Sequence, residues 1–505
     1  MAQMITILLI WAATCAGTED QPLWLAVGRP GLVDELGPLA QKRRAEGFSV
    51  IVSTKTIQES LAAAPQRPAF LLLVGDDEPG KQAEPWYLPA KRLPLYRWMA
   101  TQRAEFASDS AWGDFDGDNL ADIPVGRIPA RTPQEVRLVV RKILAFEQQP
   151  PTDADLCLPV WVGAPGYGGP IDQMASNLLV NIVQTHAPGW AQESLIAADS
   201  HHVLCGWPPD QPGVFTRQLR RGALIGIMLG HAYEDRWYSM QHKGAWIGYT
   251  AAHAQEQFAA GPPTAPLTFL ACSCGRFSHA SPCMAESFLW MPGGPVATVG
   301  ATTESHPLTN YFTGVSLLQA LQGKEKRLGT VWLRAQRDAM KARDFMMEQL
   351  LKNAEGKLEE KIDIGKLKRD QLLMYALLGD PATRLRIPDA LEAAVERTAS
   401  GWHWRATRPA GAVDLQVALR AQSASIPAAN DSLSPSEARR VFKEANARFA
   451  FNPCPGAGAD GPWEGTVNEN GRLRLIASGP GVFRVAVLEL EPSDKPAATT
   501  PQSPK

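Results

Sequence analysis

At 505 residues the chain is longer than one ordinary core can fill, and with 45% hydrophobic and 20% charged residues it has apolar material for several cores and charge to stay soluble. Fibrous and disordered classes are thereby excluded. A formal charge of -2 offers none of the basic excess that a phosphate backbone selects, so nucleic acid is not an expected partner.

The chain opens with MITILLIWAATCA (Met4 to Ala16), an almost unbroken apolar run ahead of the first charge at Glu19. It predicts a signal peptide over residues 1–17, cleaved near Ala16 or Gly17, and hence a secreted, periplasmic or cell-surface protein; an N-terminal anchor is the alternative. No other run approaches the ~18–20 residues that cross a bilayer, so no membrane span is expected in the mature chain.

From Leu23 the order is strand (LWLAVG), helix, strand (FSVIVS), helix, strand (AFLLLVGDD), which predicts βαβ units and a mostly parallel sheet. Thr132, Pro133 and Glu135 open a capped helix that runs into the Pro-rich joint QPPTDAD, so a first α/β subdomain is placed at 22–149. A second alternating series includes LPVWVGAP, SLIAA, ALIGIMLGH, LTFLACS and PVATVGAT, and reads as helices from Thr309 to Leu378. It closes at LLGDP and defines a second α/β subdomain, 150–389, predicted to carry the chemistry. Short alternating runs (VDLQVALRA, ARFAF, GRLRLIA, FRVAVLELE) then predict a small all-β, immunoglobulin-like sandwich over 390–492, with a disordered tail at 493–505.

In a parallel sheet, reactive side chains gather where strands end, because loops there are exposed yet rigidly held. ALIGIMLGH delivers His231 and LTFLACS delivers Cys272; if the two strands are neighbours, an imidazole stands beside a thiol, the pairing that makes sulfur a nucleophile near neutrality. Other readings stay open. Cys272, Cys274, His279 and Cys283 have the residue types of a structural zinc site, Cys274 and Cys283 could pair as a disulfide, and Cys272 could be buried and inert. Asp114, Asp116, Asp118 and Asp122 recur at i, i+2, i+4 and i+8 in GDFDGDNLAD, a spacing that suits a structural Ca2+ or a plain acidic turn.

Five stretches in register, GHAYEDRW (230–237), ACSCGRF (271–277), PCMAES (282–287), GGPVATVGAT (293–302) and LLGDP (377–381), resemble the gingipain family of cysteine peptidases, and the likeness extends more loosely over roughly residues 25–388. The resemblance implies a caspase-like α/β fold with two mostly parallel-sheet subdomains and a secreted cysteine endopeptidase acting on polypeptides. It makes Cys272 the nucleophile and His231 its proton partner, with oxyanion donors at the N–H groups of Cys272 and Ala232. Cys274 falls on a variable position. Two departures are visible: Ala232 stands where the family has Gly, and Tyr167 stands where the acid that orients the histidine belongs. Asp172 stands at about the place of the Asp that floors the S1 pocket in Arg-cleaving relatives, although it also suits a helix N-terminus; Asp172 and Trp237 are the candidate substrate contacts. No cofactor is required for this chemistry, and a monomer is expected. Transpeptidation of exported proteins, or a non-catalytic zinc-stabilised scaffold of the same fold, are the alternatives.

Overall fold

The computed structural model describes residues 21–97, 102–164, 169–345, 347–349, 363–421, 433–454 and 462–491. The predicted signal peptide and the C-terminal tail lie outside the described residues, as does Tyr167.

Ten strands form one continuous sheet: β1 (Leu23–Gly28), β2 (Ser49–Ser53), β3 (Phe70–Val74), β4 (Val125–Ile128), β5 (Cys157–Val162), β6 (Gln192–Ile196), β7 (Gly226–Leu229), β8 (Leu267–Leu270), β9 (Thr298–Ala301) and β10 (Tyr375–Leu378). Their spatial order is β2-β1-β3-β4-β10-β9-β8-β7-β5-β6. Pairing is parallel throughout except between β9 and β10, so two parallel halves of opposite direction meet at that seam. LWLAVG and FLLLV are buried along their whole length, as strands covered by helices on both faces must be.

β10 corrects the sequence reading, which ran helix up to Leu378. The helix Ile364–Met374 passes directly into the strand, and the apolar run LLMYALL carries no period that separates the two. Through this strand the end of the second series joins the sheet half built by the first. The predicted cap of the helix Pro133–Gln148 is present, with Thr132 and Glu135 each accepting from the other's backbone N–H.

Beyond residue 388 a five-stranded and a three-stranded sheet pack around Trp402, Trp404, Leu473 and Leu475. ARFAF is not a strand: it is the end of an unanticipated helix, Pro435–Ala447, and the turn after it. That helix covers the sheet edge. Asn446 accepts from the N–H of Leu195 (2.9 Å) and donates to its carbonyl (3.2 Å), so it pairs β6 much as another strand would. Among the described residues no helix is long and apolar enough to cross a membrane.

Candidate active site

β7 and β8 are neighbours, with Leu229 opposite Leu270, so both chains leave the sheet at one edge. Two residues on, His231 and Cys272 line the same cleft of about 650 Å³, together with Ala232, Ser273, Arg103 and Glu304. One wall is aromatic: Tyr233, Tyr238 and Trp246 stack edge to face with centroids 5.8 and 5.7 Å apart.

The turn that presents Cys272 explains the Ala-Cys-x-x-Gly pattern. Ser273 holds a left-handed φ of +53°, a strain of about 1–3 kcal/mol for a residue with a side chain, and lifts Cys272 off the end of β8. The chain then returns alongside β9, where Ser273 N–H meets Thr303 O (2.9 Å) and Gly275 N–H meets Ala301 O (2.9 Å). Gly275 lies so close to β9 that a Cβ would stand 2.2 Å from the carbonyl oxygen of Gly300. Only glycine fits there.

Cys272 is half-buried; its thiol donates to Ser305 O (3.4 Å) and accepts from the Ser305 hydroxyl (3.7 Å). Burial pushes the thiol up, the Ser305 contacts oppose this, and the charges of Glu304 and Arg103 act in opposite senses. The resting sulfur is therefore a thiol that needs a base. His231 is exposed on a two-residue strand, His231–Ala232, paired with Tyr238 and Trp237, so the backbone of Ala232 lies beside the sulfur's cleft.

The zinc reading fails. Cys274 and Cys283 are buried in the apolar core with Phe277, Met284 and Phe288, His279 is engaged by Ser281, and the six described cysteines are free thiols. No His, Cys, Asp or Glu cluster with metal geometry includes them among the described residues. Burial drives the Cys274 thiol well above the ordinary range, which disfavours a thiolate there. Trp237 is corrected as well: it is fully buried against Trp161 (4.6 Å between centroids) and is a core residue, while Trp246 on the same hairpin faces the cleft.

Asp172 lies outside the Cys272 cleft, in an adjoining pocket of about 280 Å³ that also holds Asp199 and His201; Trp246 lines both. In the acidic loop, Asp114, Asp116 and Asp122 bring one oxygen each within 4.8 Å of one another, and Asp118 does not join them. Those oxygens suit a hard cation, but Asp122 also pairs with Arg67 (2.9 Å) and Arg337 (3.2 Å), and backbone N–H groups of Gly117 and Asn119 already bond Asp114.

Sequence reasoning overlooked Arg103, Glu234 and Glu304. Glu304 follows β9 as His231 follows β7 and Cys272 follows β8, so the same strand-end rule applied to PVATVGATTE finds it. Arg103 carries no such signal.

Residues 18–386 match the profile of Peptidase family C25. Similar solved structures include the Arg specific cysteine proteinase gingipain R (RgpB), 13% identical with a TM-score of 0.51 over 94% of this chain and 99% of that one. The complex of Porphyromonas gingivalis RgpB pro- and mature domains gives 13% and 0.51 over 92% and 99%. A further protease structure gives 14% and 0.53 over 92% and 96%. At such identities the likeness speaks for the fold, which is the gingipain-like α/β architecture expected from the sequence. None of the curated proteins compared matches the chain. The family match spans well over half of the sequence and includes both strand-end motifs, so the chain belongs to peptidase family C25 and is a cysteine peptidase.

Proposed function

We propose that this peptidase cleaves polypeptides through a Cys272–His231 dyad. The single observation that carries the reading is that the two side chains, borne on adjacent strand ends, line one cleft. His231 takes the thiol proton, the Cys272 sulfur attacks the peptide carbonyl, and the oxyanion accepts hydrogen bonds from the N–H groups of Cys272 and Ala232. As the intermediate collapses, the imidazolium protonates the leaving amine. Water, activated by the same imidazole, then releases the acyl group and restores the thiol. Transfer of the acyl group to an amine instead of water would use the same residues.

A basic P1 side chain is supported by the adjoining pocket, where the carboxylates of Asp172 and Asp199 sit beyond Trp246. Asp172→Asn should then lower kcat/KM for a P1-Arg substrate by about tenfold to a hundredfold, in line with the loss of one charged hydrogen bond, and leave a P1-Leu substrate unchanged. The apolar leader supports export, and the three converging carboxylates of the acidic loop support a bound structural Ca2+.

Labelling by an acyloxymethyl ketone tests the dyad. Wild type and Cys272→Ser/Cys274→Ala comparisons read it directly: the label should be lost with Cys272 and kept without Cys274. Labelling that survives loss of Cys272 and vanishes with Cys274 overturns the assignment.

A further inference from the structure

Among the described residues lining the cleft, Arg103 alone comes from ahead of residue 150. Its guanidinium opens like a fork between two loops. One arm donates to Glu234 (2.7 Å), in the loop that follows His231, and the other donates to Glu304, in the loop that follows β9. The second arm also reaches the hydroxyl of Ser273 (3.4 Å), the left-handed residue next to the nucleophile.

Each loop is tied again to the cysteine turn. Glu234 accepts from Arg276 (2.8 Å), and its carbonyl accepts from Met284 N–H (2.6 Å). Glu304 accepts from the Thr303 hydroxyl (2.6 Å), Thr303 O holds Ser273 N–H (2.9 Å), and the next residue, Ser305, holds the thiol. The contacts made by Arg103 thus converge on Cys272 from both sides.

We propose that Arg103 is a positioning residue: it clamps the loops after β7 and β9 on either side of Cys272, holding the thiol toward the cleft it shares with His231, and it sets positive charge beside the thiolate. The proposal rests on the dyad assigned above. A guanidinium suits the task because its planar fork can bind two carboxylates at once, which a lysine ammonium does with less directional control. The charged groups about the sulfur are Arg103, Arg276, Glu234, Glu304 and, when protonated, His231. Despite its burial, Glu234 is held below the usual carboxylate range by Arg276 and Arg103, so this acid of the clamp counts as negative at working pH. Without Arg103, Glu304 faces the sulfur without its cationic partner, and the thiolate is disfavoured.

The test is the pH profile of iodoacetamide alkylation of the free full-length enzyme, with Cys272→Ala as background, beside kcat and KM per titrated active site. In Arg103→Ala the alkylation inflection should rise by about one pH unit. The same variant should lose about tenfold to a hundredfold in kcat, with KM changing less than about threefold. Arg103→Lys should recover part of both, and Glu304→Gln should move the inflection down. An unmoved inflection in folded Arg103→Ala, or a loss confined to KM as for a substrate anchor, overturns the proposal. If Arg103→Ala does not fold, Arg103→Lys and Glu304→Gln decide it: opposite shifts support it and none refutes it. Alkylation of the same rate and profile in Cys272→Ala would instead sink the dyad.

Discussion

In the sheet half made of β1 to β4 and β10, the charged groups near strand ends are sealed against one another, whereas in the half made of β5 to β9 they open onto a cleft. Arg127 on β4 is fully buried, grips both oxygens of Asp109 (2.7 Å each) and caps the carbonyls of Gly75 (2.6 Å) and Leu88 (2.9 Å). Arg43 is held by Asp380 (2.9 Å) and Glu147 (2.9 and 3.0 Å). Both guanidinium groups are engaged by protein oxygens, and neither is left to meet a substrate. Across the seam the Cys272 thiol has, among the described residues, only the longer Ser305 contacts, 3.4 and 3.7 Å, and opens on a cavity. The lesson is that a perturbed, buried charge marks architecture as readily as chemistry, and openness at the strand end is what separates them.

The sharpest test of that division is a pair of substitutions, one in each half. His231→Ala should lower kcat/KM by ~10³-fold, about 4 kcal/mol of barrier, with the melting temperature unchanged. Asp380→Ala should do the reverse. It strips the buried Arg43 and the indole N–H of Trp24 (3.0 Å) of a carboxylate, and breaking such a buried pair costs ~3–5 kcal/mol of stability, while activity per folded molecule persists. Thermal melts and active-site titration of both variants check the contrast. A large activity loss per folded Asp380→Ala molecule would mean that the sealed half takes part in the chemistry.

The alternation of apolar strands and amphipathic helices was enough to read the parallel α/β class, because that period is local, whereas the adjacency of β7 and β8 was a condition that the sheet order met. The seam was not legible. β10 is four residues long, follows a helix without a break and belongs to the other half of the sheet, a tertiary fact with no local trace. The helix Pro435–Ala447 went unread for a different reason: its Ser434–Glu437 capping box was there to be seen, but the alternating runs around it favoured strand. Cys272 and His231 were legible by type and strand-end position as residues of one cleft, while Trp237 misled because an aromatic in a motif reads as a contact until its burial is known. Arg103 was invisible because its partners lie 131 and 201 residues away.

Smaller effects probe the contacts across the seam. Glu286, at the start of the helix Met284–Leu289, is buried, accepts from Cys283 N–H (2.8 Å), and its carboxyl is pushed well up by burial and by the charge of Asp76 from the other half. The folded protein therefore holds this proton to a higher pH than the unfolded chain does. Its contribution to stability is present at low pH and is lost as pH rises from the ordinary glutamate range through the raised folded value. Glu286→Gln keeps the acceptor and cannot ionise, so its melting temperature relative to wild type should increase from pH 5 to pH 8. A difference that stays flat across that range would mean that the Glu286 carboxyl holds its proton no more tightly in the folded protein than in the unfolded chain.

The smallest effect belongs to the acidic loop of the sealed half. If Asp114, Asp116 and Asp122 take a Ca2+ with the Kd of ~10⁻⁴–10⁻³ M common in extracellular modules, 1 mM calcium adds about 0.4–1.4 kcal/mol of stability through mass action. Asp116→Asn should abolish the gain, because Asp116 offers the loop's exposed oxygen and takes no part in the Asp122 pairs with Arg67 and Arg337. Calorimetric melts with and without calcium read this directly, and hydrolysis rates well below the melt should not respond to the ion. An equal shift in wild type and Asp116→Asn would place the ion elsewhere. A change in rate without a shift in melting would join this loop to the chemistry and undo the division between the two halves.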